Sequence, residues 1–208
     1  MGVPQIMKQI EAAVTEERRS HRLRNVMIQV AQMYGRNPTE KELEEAVQFV
    51  IEYINHVPLL LLTMRGAAIK LGAQKSIDPL LDGCEQYWDQ GFDIIPDHLG
   101  LLGYMDDAYY VMSIIQGITE RHRQADGKPL LGFELTPMNQ TMRGLIGEPH
   151  ATILDTAVAS VIAAPGLQAL LQGLQQFRGR SLVDRDPIWG DASIDDIVNV
   201  RMGALGIV

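Results

Sequence analysis

Apolar residues recur every three or four positions along most of this chain, the spacing that puts them on one face of a helix. Residues 5–34 read as helix, in one piece or two, with Leu23, Val26, Met27, Val30 and Tyr34 on one side and Gly35 placed to end it in the left-handed region. The charged run Glu16, Glu17, Arg18, Arg19, His21, Arg22 and Arg24 reads as a solvated helix face, with a docking surface for an acidic partner as the alternative. Thr39-Glu40-Lys41-Glu42 is a capping box that opens the next helix, in which Leu43, Ala46, Val47, Val50, Ile51 and Ile54 form the buried stripe. Pro58 is expected to end or kink that helix. The run Leu59–Leu71 would then be a central helix, with Arg65 and Lys70 reaching outward.

Ser76 or Asp78 is placed to cap a following helix that carries Leu80, Leu81, Cys84, Tyr87 and Trp88 and is closed by Gly91, with Asp82, Glu85 and Asp89 as an exposed row. Residues 104–118 are apolar on most of their circumference and predict a core helix. Residues 127–150, with Pro129, Pro137 and Pro149 among several glycines, predict an irregular insertion with room for a short helix at Pro137–Leu145. Two further stripes follow, Ile153 to Val161 and Leu167 to Phe177, broken at Pro165-Gly166, and Ser193 with Asp196 marks a last helix start. The pattern predicts an all-α single domain over 1–208, a helical bundle in which 150–208 is a candidate C-terminal subdomain.

A formal charge of −8 over 208 residues argues against nucleic acid as a partner, since phosphate-binding domains carry a basic excess. The single cysteine, Cys84, cannot form an internal disulfide and points to a reducing compartment, the cytoplasm. No basic cap and apolar run opens the chain, so no signal peptide is expected. The two most apolar stretches, 57–73 and 152–174, are interrupted by Arg65 and Lys70 and by Asp155 and Pro165, and read as buried helices. No Gly-x-Ser-x-Gly elbow, His-Glu-x-x-His pair, doubled Glu-x-x-His or Gly-x-Gly-x-x-Gly loop occurs. Gly127-Lys128-Pro129 lacks the spacing of a phosphate loop, and residues 184–191 do not fit a calcium loop. Glu52 and His56 share a helix face as a candidate metal pair, but no second pair supports them, and Cys84 reads as a packed thiol.

The densest chemistry lies at 92–107, where Asp93, Asp97, Asp106 and Asp107 fall within sixteen residues together with Pro96, Gly100 and Gly103. One reading is structural: Pro96 drives Ile95 out of helix, Ile94 and Ile95 anchor the loop, Gly100 and Gly103 make tight turns, and Asp106 or Asp107 caps the following helix. The other is a divalent-cation site in which the four aspartates converge on Mg²⁺, Mn²⁺ or Ca²⁺, with His98 as an accessory nitrogen ligand or proton shuttle.

The spacing of Asp93, Ile95, Pro96, Asp97, Leu102, Gly103, Tyr104, Asp106 and Asp107 resembles the signature of the YkvA-type domain of unknown function, over about residues 84–118. The resemblance implies a helix-loop-helix unit, brings no established reaction, and includes relatives associated with membranes. Three functions are therefore expected, in this order. The first is a binding or scaffolding module that assembles with a protein partner or with itself. The second is a metal-dependent enzyme, for example a hydrolase, built on the aspartates. The third is a peripheral membrane protein that uses residues 152–174.

Overall fold

The computed structural model describes residues 2–90, 94–174 and 180–207. Those residues form nine α-helices: α1 (Val3–Ser20), α2 (Arg22–Met33), α3 (Glu40–Leu71), α4 (Gln74–Gln90), α5 (Leu101–Asp126), α6 (Thr136–Ile146), α7 (His150–Ala163), α8 (Pro165–Leu174) and α9 (Ile194–Met202). Short 3-10 turns occupy Asp97–Leu99 and Gly203–Leu205. Among the described residues the extended pairings are two isolated bridges, Leu131 with Val183 and Asp186 with Gly190, so the fold is all-α.

The capping box forms as its sequence predicts: the Glu42 amide donates to Thr39 Oγ1 at 3.3 Å and the Thr39 amide donates to Glu42 Oε2 at 2.7 Å. The helix it starts does not end at Pro58. It continues for 32 residues to Gly72, which closes it at φ 69°. A proline inside a helix costs about 3 kcal/mol. Here the flanking residues Val57, Leu60 and Leu61 are fully buried, and that burial outweighs the lost backbone bond. Helices α1, α2, α4, α5 and α9 pack on α3, while α6, α7 and α8 pack on α5. One cluster of buried apolar side chains runs through all of them, from Val3 to Leu205.

Several local expectations change in three dimensions. Of the two readings of residues 5–34 the two-piece one holds, with the division at His21, which takes φ 53°. Glu17 is not on a solvated face. It is buried and accepts from the Leu23 and Arg24 amides at 3.0 and 3.1 Å, so that it caps α2 from the end of α1. Arg65 does not reach into solvent but gathers the carboxylates of α4, at 3.3 Å from Asp78, 2.9 Å from Asp82 and 2.8 Å from Glu85. Helix α4 begins at Gln74, which leaves Ser76 and Asp78 inside it instead of at its cap. Within the 127–150 insertion the short helix expected near Pro137–Leu145 forms as α6, and Pro165 opens α8, where its missing amide is not needed. Gly91 and Phe177 lie outside the described residues.

Among the described helices α3 alone is long and apolar enough by composition to cross a membrane, and 56% of its most apolar stretch is buried inside the bundle. Two polar clasps tie that helix to distant segments. Tyr53 donates to Asn139 Oδ1 at 2.7 Å, Asn139 to Gln116 Oε1 at 2.5 Å, and Gln116 to Thr136 Oγ1 at 2.8 Å, linking α3, α6 and α5.

The second clasp uses the two residues that sequence paired as metal ligands. His56 is fully buried, with Nδ1 2.9 Å from the Glu52 carbonyl and Nε2 3.0 Å from Asp186. The Glu52 carboxylate accepts instead from Trp189 Nε1 and Arg201, so the pair is spent on holding residues 186–201 to α3. Burial pushes the Asp186 carboxyl upward. The hydrogen bond and charge of His56, with the amides of Trp189 and Ile188, outweigh burial and hold it below the usual carboxylate range. Stability from this group is therefore present above the ordinary carboxylate value and is lost as pH falls through the lowered one. Asp186→Ala is expected to lower the unfolding free energy in urea at pH 7 by about 3–5 kcal/mol, and to have already lost the part that the wild type sheds in acid.

Candidate functional site

The aspartate corner owes its shape to one carboxylate and one absent side chain. Helix α5 starts at Leu101, so Asp106 and Asp107 lie in its second turn, buried, and do not cap it as sequence suggested. Asp106 reaches back to the preceding loop, where its Oδ2 accepts from the Ile94 and Ile95 amides at 3.1 and 3.0 Å. Burial raises its carboxyl to about 6, against the opposing pull of the amides of Ile95, Asp106, Ile94 and Asp107.

Gly100 makes the turn with φ 72°. Gly103 makes none. It sits inside α5, where a Cβ would fall 2.6 Å from Asp97 Cα and 2.7 Å from the Pro96 carbonyl oxygen, so the helix backbone lies directly against the corner. Tyr104 stacks on Trp88 with ring centroids 5.7 Å apart, fixing α5 to α4. Asp97 is half-buried in its 3-10 turn, and exposed His98 accepts at its carbonyl from Arg22 Nη1 at 3.0 Å. Asp93 lies outside the described residues. Among those described, no three carboxylate, histidine or cysteine side chains come together as a metal group. Asp106, the best-buried candidate, instead faces backbone amides.

Beyond this corner α4 diverges from the following helices and leaves a groove of about 800 Å³. Tyr110, Ile114 and Ile118 of α5 form its floor. Leu80, Gly83 and Tyr87 of α4 line one wall, and Val161 of α7 and Leu170 of α8 the other. The walls are drawn together at Gly173, where a Cβ would lie 2.4 Å from Ser76 Oγ. The Tyr87 and Tyr110 rings, 3.7 Å apart, close over the floor at a second point along α4. Gly117 lets α7 settle onto α5, because a Cβ there would meet Ile162 Cδ1 at 2.1 Å.

Cys84 also lines the groove, but burial, reinforced by the charge of Glu85, pushes its thiol up to about 12, so it stays protonated and is no nucleophile. The groove was not foreseen. A hint was present in the second apolar stripe of α4, Leu80, Gly83 and Tyr87, beside the core stripe Ile77, Leu81 and Trp88. No family model, no curated protein and no solved structure matches the chain. What fold and geometry define is an all-α bundle with a rigid aspartate corner and an open apolar groove.

Two outcomes test the corner. An acid whose folded value is raised contributes stability below its unfolded value, about 3.8, and loses it as pH rises through about 6. On going from pH 7 to pH 4 in urea-unfolding series, the wild type should gain up to about 3 kcal/mol relative to Asp106→Asn, which keeps an accepting oxygen. Gly103→Ala should destabilise by about 1–3 kcal/mol, since the methyl meets backbone that has nowhere to move. An unchanged melting temperature would contradict that close approach.

Proposed function

We propose that this chain is a binding module whose working surface is the groove over α5, and that the groove receives the apolar face of a helix from another protein chain. The observation that carries this reading is the layout of the groove. Tyr110, Ile114 and Ile118 recur every four residues along its floor, and Ser76, Leu80, Gly83 and Tyr87 recur every three or four along one wall. Parallel ridges of this kind accept the ridge of a further helix, read through anchors at i, i+4 and i+7.

The floor row runs over nine residues, about 12 Å of helix, which suits two to three turns of a partner. Lys75 stands at the rim without an ion-pair partner among the described residues and favours a carboxylate beside the partner's apolar stripe.

Gly83 gives access to this surface without disturbing the fold, because a Cβ there meets no atom within 4 Å. Gly83→Ala should therefore stabilise the protein by about 0.5–1 kcal/mol in thermal or urea unfolding. With a benzophenone amino acid placed at position 83 in living cells, irradiation is expected to give a discrete adduct with another protein chain. The adduct should disappear when Leu80→Glu is added and be absent when the probe sits at exposed Lys41. Identical adducts from positions 83 and 41, or none from 83, would sink the proposal.

A further inference from the structure

A second recess, of about 810 Å³, lies between the last turns of α3 and the segment 180–185. We infer that it is a binding site for a phosphate-bearing anion, separate from the apolar groove and independent of its role. In a chain of net charge −8, four cations line this one recess: Lys70, Lys128, Arg180 and Arg185. Arg185 is committed to Asp191. Lys70, Lys128 and Arg180 have no ion-pair partner among the described residues, and Asp184 is the one carboxylate in the lining. The charge of this lining is thus opposite in sign to that of the chain as a whole, and the low-dielectric walls of a recess strengthen its field.

The cations stand on backbone that is already fixed. Lys70 belongs to the last turns of α3. Lys128 follows Gly127, which takes φ 78°, and its carbonyl lies 2.9 Å from Nδ1 of buried His122. Next to Arg180, the Leu182 amide donates to the Leu130 carbonyl and the Gly132 amide to the Val183 carbonyl, both at 2.7 Å. Gly132 permits that contact, since a Cβ would meet the Asp184 carbonyl oxygen at 2.5 Å. Two otherwise irregular segments are locked side by side, and each carries a free cation toward the same space.

Three cations unpaired among the described residues, against one carboxylate, suit a ligand bearing two or three negative charges. A planar guanidinium with two ammonium groups suits clustered phosphate oxygens better than a single carboxylate. The volume leaves room for an organic body behind the phosphates. The same chemistry is presented by a soluble phosphate ester and by a lipid headgroup.

The test titrates the full chain with inorganic pyrophosphate calorimetrically and, in parallel, floats it with phosphatidylcholine vesicles that contain a phosphatidylinositol bisphosphate. Gly66→Glu is the decisive variant. A Cβ at Gly66 meets nothing within 4 Å, so the substitution places a carboxylate in the recess while favouring the helix, and the melting temperature confirms an intact fold. Gly66→Glu and Arg180→Gln are expected to weaken binding about tenfold or more, and added salt should weaken it further. Arg185→Gln should do far less. Binding to pyrophosphate alone assigns a soluble ligand, and binding to the vesicles assigns a headgroup. Binding to neither probe, or binding that Gly66→Glu leaves unchanged, overturns the site.

Discussion

A single buried carboxylate, Asp106, holds two consecutive backbone amides, and the arrangement of the central helices rests on that contact. The amides of Ile94 and Ile95 stand at the point where the chain turns from α4 into α5 and would otherwise lack an intramolecular acceptor. Gly103 makes the same junction tight by letting α5 touch the Pro96–Asp97 backbone, and the Tyr104–Trp88 stack closes it from the α4 side. Burial keeps the Asp106 carboxyl near 6, so the clasp is held under electrostatic tension at neutral pH. Rigidity there is obtained at the expense of stability, a trade common where geometry matters more than depth of folding.

The opposite end of the chain is governed by a second buried pair. His56 on α3 and Asp186 fix the start of the C-terminal segment, while the short backbone pairing of residues 130–132 with 182–183 fixes what precedes it. Asp184 lies between those two attachments, and Arg180 stands two residues before the first of them. Asp106 thus organises the groove, and His56 with Asp186 organises the recess. Each site depends on a polar clasp that its own lining does not contain.

The helices were legible because amphipathic periodicity and caps are local: the Thr39–Glu42 box, the Ser193 start and the Gly35 stop do what their residue types suggest, whereas the core helix expected over 104–118 runs on through its polar end to Asp126. What escaped were cases in which tertiary burial overrides a local rule. Pro58 stays helical because its neighbours are core, Glu17 is buried because two amides of α2 face it, and Arg65 turns inward to three carboxylates of another helix. The aspartate corner was found by its composition, and Gly100 turns as expected, yet the tasks of two other residues were misread. Gly103 serves contact, not turning, and Asp106 clasps a loop instead of capping a helix. Neither the groove nor the recess could be read in advance, since an empty space between helices depends on where they diverge. Lys70, Lys128 and Arg180 are far apart in sequence and converge only through the fold.

Site-resolved hydrogen exchange at the Ile94 and Ile95 amides tests most directly whether Asp106 sets this geometry. The account predicts strong protection of both amides at neutral pH. In Asp106→Ala that protection is lost, and exchange rises at the same time in the groove wall around Leu80 to Tyr87, whereas Asp106→Asn preserves most of it. Exchange of Ile94 and Ile95 at free-loop rates in the wild type, or a groove wall indifferent to Asp106→Ala, would contradict the claim that this carboxylate sets the junction of α4 and α5.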